Sequence, residues 1–593
     1  MKLKDYINFN EVLLIAIGII LLFPLFSNAQ DITYPNYSAS IKAAVTDPTS
    51  QLGSMANYQF FLHTDMMKKL YSQRGYEPIW INFQGRPAPI STELRRMLLV
   101  AYRHGLPTTM EKVAVKEGGT TVEKWTYVSR GYWDQKLEDY LRSTMASPRD
   151  AIWFELLATE AFLRYTQHIF VGRFDPRKID EKIILGPRVI NDKTYNALNH
   201  AVSNEGRLQE LMDRFAPESA NYKGLMTLLN YYRRVKLAGG WSQIAAPGVQ
   251  IEPGISHQII PQIRNRLKLF GYEVGDLNNQ VYDDSFGKAL RRFQQLSDLE
   301  NDGIIGGKVS KVLRYLNVPV EERIDQLSVN MERLRWLPRK LGDRYVFVNL
   351  AMTEFRLHDE RLSPAELEKM QFKTINGKDV RQTPLMIDEI RYVNFNPTWT
   401  VPSSIAVKDK LPTLRADAGY LGKHNMKLLR GKTEVDPMTV DFKNITEEAF
   451  VSTYTIVQMP DYNNALGVVK FPLVRNNKAI FMHDTNERNL FSTTNRHGSS
   501  GCIRLEKPKE FAAYLLADKG YSLEKINTLV PQNAQMPPGK TFSETLKRPM
   551  TVYIQYLTTE VGPRGEVRFA DDVYGQDEKI KAALADPKNN GDF

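Results

Sequence analysis

The residues best suited to chemistry lie towards the C-terminal end of the chain, in a run that contains its single cysteine. Cys502 follows Gly501 in a loop rich in serine and glycine, and Arg504 lies two residues further on. A thiol reacts as its thiolate, so a neighbouring imidazole or guanidinium that favours the anion makes a cysteine a nucleophile. His483, at the end of a predicted strand next to this loop, is the best candidate for the base.

The backbone around Cys502 could also stabilise a negative charge that develops during a reaction. Glycine at position 501 permits close approach to a substrate, and consecutive N–H groups at 500–502 could point at an oxyanion. We therefore predict Ser500 and Gly501 as oxyanion or loop residues and Arg504 as their support. Ser499 and Arg496 are predicted to bind substrate.

Each of these residues also has an ordinary structural alternative. A lone cysteine is often a small buried hydrophobic residue, and a histidine at a strand end is often a structural residue. Both arginines could be solvated surface charges. No two His and Cys positions have a zinc-ligand spacing, so we predict neither a metal ion nor another cofactor.

The N-terminus predicts export. Lys2 and Lys4 precede an apolar stretch over 12–26, and Ser27-Asn28-Ala29 provides a small-x-small cleavage site. This layout is typical of a signal peptide over residues 1–29, with an uncleaved anchor as the alternative. Because an oxidising exterior exposes a lone thiol to mixed disulfides, a single cysteine there is either a buried bystander or a retained nucleophile.

The composition is that of a globular chain with several domains. Of 593 residues, 42% are hydrophobic and 25% are charged, and about four domains are expected at ~150 residues each. The net charge of +10, from 78 Lys and Arg against 68 Asp and Glu, suits an anionic partner. No basic block is dense enough to indicate nucleic acid. After the N-terminus, no segment reaches the ~18–20 apolar residues that cross a bilayer.

Composition and periodicity divide the chain into successive regions. A linker is predicted at 30–55, a helical region at 56–245, a three-helix module at 257–318 and a bridging helix within 320–342. A β-rich region follows at 343–580, because the period of apolar residues changes to two. Its strand candidates are 345–350, 387–395, 479–482 and 550–556. Residues 396–455 are interpreted as an insertion that forms a lid or binding loop.

Two regions resemble known families. Residues 257–318 resemble the peptidoglycan-binding three-helix domain in Leu267-x-x-x-Gly271-Tyr272, Phe293-Gln294 and Asp302-Gly303-Ile304-Ile305-Gly306. His483 through Arg504 resembles the YkuD-type L,D-transpeptidase signature, an upstream His followed by Ser-x-Gly-Cys-x-Arg. Many members of that family have His at the position of Ser500. The run Ser-Ser-Gly-Cys in this chain instead resembles the large YcbB-like subfamily.

The resemblance to this subfamily extends over roughly residues 58–580. Its scaffold, bridge and lid motifs are matched by Tyr71-x-x-Arg74-x-Tyr76-x-Pro78-x-Trp80, Gly172-Arg173-x-Asp175-Pro176, Gly239-Gly240-Trp241, Asn330-x-Glu332-Arg333-x-Arg335-Trp336-Leu337-Pro338 and Asn394-x-Asn396-Pro397-x-Trp399-x-Val401-Pro402. The expected fold is therefore a multidomain α+β protein. It has an N-terminal helical scaffold, a small three-helix peptidoglycan-binding domain and a C-terminal β-rich YkuD-type catalytic domain with an inserted lid.

The resemblance implies an enzyme of the bacterial periplasm or cell envelope. Cys502, deprotonated by His483, would attack a tetrapeptide stem of peptidoglycan, release D-Ala and pass the acyl group to an amine on a neighbouring stem. The product would be a 3→3 cross-link, carbapenems would acylate the same cysteine, and a cell-wall synthase could be a further partner. Trp399 would bind the stem peptide, or else be an ordinary core residue. A cysteine carboxypeptidase or endopeptidase, and a non-catalytic wall-binding scaffold, are the alternative functions.

Overall fold

The computed structural model describes residues 35–47, 63–117, 120–143, 147–186, 188–203, 208–306, 310–562 and 564–586. The predicted signal peptide lies outside these residues, as do positions 30–34 and 48–55 of the predicted linker. Where the linker is described, the prediction is wrong. Tyr37–Thr46 form a helix, because Tyr37, Ile41 and Ala44 recur on one face and are buried. Within the described ranges, no helix is both long enough and apolar enough to cross a membrane.

The N-terminal region is a helical scaffold built around one long helix. Its helices are Thr64–Ser72, Pro89–Leu99, Gln135–Arg142, Pro148–Phe170, Asp192–Val202, Leu208–Phe215 and Ala220–Leu237. The helix Pro148–Phe170 is buried on most of its faces, and it lies within the helical region predicted at 56–245. A hairpin of two strands, β1 (Thr109–Glu117) and β2 (Thr120–Val128), was not predicted from the sequence.

The three-helix module consists of helices Ile259–Leu269, Asp284–Leu296 and Lys311–Leu316. It packs against the C-terminal region, as expected for so small a core. The Phe270 ring lies 5.1 Å, centroid to centroid, from the Phe569 ring. The Tyr272 hydroxyl donates a hydrogen bond of 2.8 Å to the carbonyl oxygen of Val567. The module is therefore part of one continuous core with its neighbours.

The predicted bridging helix spans Val320–Arg335 and is buried along much of its length. Its Glu332 accepts a hydrogen bond of 2.6 Å from the backbone N–H of Arg173 in the scaffold and also pairs with Arg335. Its Arg333 pairs with Asp577 near the C-terminus. These buried charges are paired, as buried charges must be, and they join the scaffold to the C-terminal region.

The C-terminal region is built on a nine-stranded sheet. Its strands are β3 (Arg344–Asn349), β4 (Glu354–Asp359), β5 (Gln371–Gly377), β6 (Met386–Phe395), β11 (Val469–Pro472), β12 (Phe481–His483), β13 (His497–Ser499), β14 (Ile503–Leu505) and β15 (Phe542–Gln555). The order is β13-β5-β14-β12-β11-β6-β15-β3-β4, and β4 also pairs with β5, so eight of the strands form a closed ring. Helices Pro364–Lys369, Pro508–Leu516, Leu523–Leu529 and Gln576–Ala585 and a ribbon of β16 (Thr559–Val561) and β17 (Val567–Phe569) complete the region. All four strand candidates fall on or overlap observed strands.

The insertion predicted at 396–455 is a small α/β unit with its own core, here named the inserted subdomain and defined as residues 399–458. Its sheet has the order β7-β10-β8-β9. These strands are β7 (Trp399–Thr400), β8 (Met426–Arg430), β9 (Thr433–Val435) and β10 (Thr455–Gln458). Its short helices are Ser403–Ile405, a π-helical turn at Ala406–Lys410, Leu411–Ala416, Tyr420–Lys423 and Glu447–Thr453. A lid or binding loop was predicted there, and the four short strands were not predicted from the sequence. The multidomain α+β fold is confirmed.

Candidate active site

Three adjacent strands place the chemically active residues on one face of the sheet. In the parallel pair β12–β14, His483 lies opposite Arg504. In the antiparallel pair β11–β12, His483 lies opposite Lys470. Directly opposed residues point to the same face of a sheet, and alternate residues of one strand share a face. Cys502 lies at the bend immediately before β14, and the positive charges of Lys470 and Arg504 act on its thiol as well as on the imidazole.

The Cys502 thiol is partly exposed, and its sulfur lies 3.9 Å from the carbonyl oxygen of Ala479. Burial in this cleft raises the pKa of Cys502 to about 11. The backbone N–H of Phe481 and the positive charges of Lys470 and Arg504 act in the opposite direction, because they favour the thiolate. At neutral pH the resting side chain is consequently a thiol.

The His483 imidazole is 4% exposed and is held in one orientation. Its Nδ1 lies within hydrogen-bonding distance of the carbonyl oxygen of Asp484. Since a carbonyl only accepts, Nδ1 carries the proton and the lone pair of the neutral ring is on Nε2. Burial, and then the positive charges of Arg504 and Lys470, lower the pKa of His483 to about 3. The backbone carbonyls of Asp484 and Leu466 act in the opposite direction and raise this pKa, but their effect is smaller. The imidazole is therefore the free base at neutral pH.

His483, at the end of β12, and Cys502, just before the adjacent strand β14, are both neutral in the resting site. In the part of the chain that the structure describes, no hydrogen bond joins the two side chains. Catalytic hydrogen bonds are often long before substrate binds and shorten in the reacting complex. The arrangement can supply a nucleophile and a base for acyl transfer once a ligand brings the two groups together.

The loop before the thiol is braced by its own side chains. Ser499 is buried, and its hydroxyl donates a hydrogen bond of 2.6 Å to the carbonyl oxygen of Cys502. The same hydroxyl accepts a hydrogen bond of 3.1 Å from the N–H of Gly501. Gly501 has φ of +116°, in a region of backbone conformation that side chains strongly disfavour. Glycine at this position therefore lets the chain turn sharply just before the nucleophile.

Among the described residues, no group of three His, Cys, Asp or Glu side chains could hold a metal ion. The charged groups that face the thiol are instead cations. Arg504 is paired with Glu487, whereas Lys470 has its ammonium 3.9 Å from the centroid of the Phe481 ring. Burial lowers the pKa of Lys470, and a thiolate at Cys502 would raise it. The site is therefore suited to negative charge on sulfur or on a ligand.

Comparison with family models assigns three parts of the chain. A scaffold-domain model matches residues 65–229, and a model described as "Putative peptidoglycan binding domain" matches residues 256–313. The L,D-transpeptidase catalytic domain model, YkuD, matches residues 343–541, which include the whole Cys502 and His483 site. The chain carries an L,D-transpeptidase catalytic domain.

A curated relative is consistent with this assignment. A curated protein of Haemophilus influenzae named "Putative L,D-transpeptidase" is 32% identical over 271 residues, which are 45% of this chain and 52% of that protein. The chain thus spans about half the length of the curated relative that it matches. The crystal structure of an L,D-transpeptidase from Xylanimonas cellulosilytica is 12% identical and covers 52% of this chain and 97% of its own, with a TM-score of 0.16. The assignment does not rest on that structure.

Several residues predicted for the L,D-transpeptidase site have different roles in the structure. Arg496 is 3% exposed and paired with Asp298 of the three-helix module, so it is not available to substrate. Ser499 is likewise buried and braces the loop. The N–H of Gly501 is bonded to Ser499, which removes it from the predicted oxyanion donors at 500–502 and leaves the N–H groups of Ser500 and Cys502 as predicted donors. Sequence reasoning failed here because it could not show which polar groups already had partners.

Three further predicted residues, Ser500, Arg504 and Trp399, are at least partly exposed to solvent or lie beside the site. Ser500 is exposed, and its hydroxyl accepts a hydrogen bond of 2.9 Å from Arg381. Arg504 lies beside the imidazole and pairs with Glu487. Trp399 is half-buried against the core of the inserted subdomain, with the Lys410 ammonium 5.9 Å from its ring centroid. Its contact with substrate stays a prediction.

Two residues of the L,D-transpeptidase domain were missed by the sequence analysis. Lys470 is the only charged residue in the run Val468-Val469-Lys470-Phe471, and a lone lysine in an apolar strand next to the His483 strand was a usable signal. Arg381 joins the inserted subdomain to residues 496–502, the loop that ends at Cys502 and is named here the catalytic loop. Its guanidinium donates to both carboxylate oxygens of Asp409, at 2.7 and 2.8 Å, and to Ser500. Nothing in the loop around Arg381 pointed to this role.

Proposed function

We propose that the protein forms 3→3 cross-links in peptidoglycan by acyl transfer through Cys502. The observation that carries this proposal is that His483, at the end of β12, and Cys502, just before the adjacent strand β14, are influenced by the same two cations. Both residues lie inside a segment that matches the L,D-transpeptidase catalytic domain. The match to a peptidoglycan-binding domain supports the same substrate. A wall polymer rich in peptide carboxylates also complements the net charge of +10.

The first half of the reaction forms a thioester. The thiol of Cys502 gives its proton to Nε2 of His483 as the sulfur attacks the carbonyl carbon of the donor residue that precedes the terminal D-Ala. The N–H of Cys502 would donate to the oxyanion, a contribution of typically ~2.7–4 kcal/mol for one such donor. The carbon–nitrogen bond then breaks, and the leaving amine of D-Ala takes the proton from His483.

The second half transfers the acyl group. An amine on a neighbouring stem attacks the thioester and gives its proton to His483, the carbon–sulfur bond breaks, and the sulfur recovers the proton. Water competes at ~55 M, so the acceptor amine must be held in place and water kept out. In this proposal the inserted subdomain, which is connected to Ser500 through Arg381, performs both tasks.

The resting electrostatics suit an exported enzyme with one thiol. Oxidants and other thiols attack thiolates, so a cysteine whose pKa is raised is protected between turnovers. Lys470 and Arg504 disfavour a proton on the imidazole and favour charge on the sulfur. A substrate carboxylate near these cations would offset their effect on His483 and make the ring a stronger base when the donor is bound.

The test is to incubate the purified protein with a disaccharide-tetrapeptide and analyse the products by mass spectrometry. A dimer whose mass lacks one D-Ala supports the proposal. Trimmed monomer alone supports a carboxypeptidase, and no turnover together with retained binding to sacculi supports a wall-binding scaffold. Cys502→Ser and His483→Gln are the matched controls, and both should lose the dimer while the proteins stay folded. Turnover that persists in Cys502→Ser would contradict the nucleophile assignment.

A further inference from the structure

The catalytic loop begins at an arginine that is anchored outside the catalytic domain. Arg496 lies six residues before Cys502 and is 3% exposed. Its Nη2 donates to the carboxylate of Asp298 at 2.8 Å and to the Thr353 hydroxyl at 2.6 Å. Its Nη1 donates to the carbonyl oxygen of Thr493 at 2.7 Å. Of these three partners, only Asp298 carries a compensating negative charge.

Asp298 belongs to the three-helix module. It follows the helix Asp284–Leu296 at a turn, with φ of +54°, which is uncommon for a residue other than glycine. Burial raises the pKa of Asp298 in spite of the guanidinium beside it. The Asp298 side chain is 35% exposed, whereas the Arg496 side chain is 3% exposed, so Asp298 is the solvent-side partner that supplies the counter-charge to a buried guanidinium.

The contacts of Arg496 continue directly into the catalytic loop. Its carbonyl oxygen accepts a hydrogen bond of 2.9 Å from the N–H of Asn376 in β5. The next residues form β13, and the carbonyl oxygen of Ser499, at the end of that strand, accepts a hydrogen bond of 3.1 Å from Lys378. The hydroxyl of Ser499 then holds the carbonyl of Cys502. Because hydrogen bonds hold the segment from Arg496 to Cys502 along its length, a shift of Arg496 should also shift the sulfur of Cys502.

We propose that Asp298 is a positioning residue for Cys502, so that the three-helix module forms part of the catalytic unit in addition to any role in wall binding. This inference rests on the proposed function only in calling the loop catalytic. Buried ion pairs contribute little net stability relative to apolar residues, and their best-attested use is to fix register. Loss of the carboxylate alone leaves a buried guanidinium without a counter-charge, and the loop must shift to solvate it.

The module is also attached at sites far from the loop, which makes a clean experiment feasible. Phe270 and Tyr272 pack against β17. Arg314 forms a bidentate ion pair with Asp571, in which both nitrogen–oxygen distances are 2.9 Å. Asp298→Asn should therefore leave the module docked. Asp571→Asn is the matched control, since it removes one carboxylate from the same interface without touching the loop.

The experiment uses the full chain and follows reaction of Cys502, the only cysteine, with a carbapenem and separately with iodoacetamide by intact-mass spectrometry. Asp298→Asn should slow carbapenem acylation at least about tenfold, since small misplacements of reacting atoms can cost about a hundredfold. Asp298→Glu should restore part of the rate. Asp571→Asn should stay within about twofold of wild type, and all variants should bind sacculi. Asp298→Asn should unfold at a lower temperature, because its buried guanidinium loses its counter-charge, so all rates are measured at a temperature where every variant is fully folded.

The result that overturns the inference is an acylation rate for Asp298→Asn that equals that of Asp571→Asn. The inference is also overturned if Asp298→Asn is acylated slowly only under conditions where it fails to bind sacculi or begins to unfold, because the carboxylate would then have a structural role alone. Failure of the proposed function is a separate outcome. It would appear as wild-type protein that yields no cross-linked dimer, while the labelling of Cys502 could still be compared between the variants. If wild type resists the carbapenem, the iodoacetamide rates decide in the same way.

Discussion

The two ends of the catalytic loop, residues 496–502, are held by arginines in contrasting surroundings. Near Cys502, the Ser500 hydroxyl is bound by Arg381, which pairs with Asp409 of the inserted subdomain and has a side chain 20% exposed. At the other end, Arg496 is 3% exposed and pairs with Asp298 of the three-helix module. Each anchor connects the loop to a different part of the chain.

The difference in burial predicts a difference in mechanics. An ion pair near solvent contributes about 0–1 kcal/mol and can open and close at little cost. A buried guanidinium that loses its partner is far more expensive, so the Arg496 end is fixed. We therefore expect one end to set the position of the sulfur, and the other to release the inserted subdomain when the proposed substrate, a stem peptide, enters. We expect unequal effects when each end is broken.

The largest effect should come from breaking the buried anchor at its arginine. Arg496→Met removes the ion pair and the bonds to Thr353 and Thr493, and should destabilise the fold by about 2–3 kcal/mol. Arg381→Met, at the exposed end, should cost at most about 1 kcal/mol. Urea unfolding followed by tryptophan fluorescence measures both. Equal shifts of the two midpoints would remove the distinction between the ends.

The next effect concerns the turn between the anchors. Gly501→Ala should lower cross-linking activity about 10–100-fold, because an L residue at φ of +116° costs about 1–3 kcal/mol and the loop will relax away from it. Space is not the obstacle, since the nearest atom to an added Cβ is Ile480 Cδ1 at 3.5 Å. Gly498→Ala is the matched control, with its nearest neighbour at 3.9 Å and no left-handed conformation. A similar loss in both variants would show that the conformation at 501 is not the cause.

The sequence predicted the structure best where a residue's type and near neighbours indicate its chemistry, and where apolar and polar residues alternate along a strand. Cys502 and His483 stood out through residue type and neighbours, and the period of two located β3 and β6 closely. The short strands of the inserted subdomain were missed, because two to five residues carry too little alternation to distinguish them from loop. The helix Tyr37–Thr46 was missed because its polar residues gave the segment a linker-like composition.

The roles of the arginines could not be predicted for a different reason. Arg496 and its partner Asp298 are 198 residues apart in the chain, and burial of Arg496 is created by the docking of the module. Arg381 and Asp409 likewise meet only through the fold. A charged residue in a loop has the same local pattern whether it is solvated or buried, so its function depends on partners that only tertiary structure supplies.

A smaller effect should separate the two cations beside the thiol. Because the pKa of Cys502 is about 11, only about one thiol in 10⁴ is ionised at pH 7, and alkylation by iodoacetamide should rise about tenfold per pH unit between pH 6 and 9. Lys470→Met should raise the pKa of Cys502 further and slow alkylation about 3–10-fold at a given pH. Lys478→Met, an exposed lysine between β11 and β12, should have no effect. A rate that is constant above pH 6 would instead indicate a resting thiolate–imidazolium pair.

The smallest effect should come from releasing the exposed anchor. Asp409→Asn removes the charge that Arg381 holds and leaves the sulfur and the buried anchor unchanged, so acylation by a small carbapenem should stay within about twofold of wild type. The ratio of hydrolysed to cross-linked product should rise about 2–3-fold, because a looser inserted subdomain admits water to the thioester. Asp417→Asn breaks an ion pair with Lys423 on the same subdomain, both side chains being exposed, and should leave the ratio unchanged. If Asp409→Asn slowed acylation as much as Asp298→Asn, the exposed pair would also position the sulfur, and the loop would have two fixed ends instead of one fixed and one releasable.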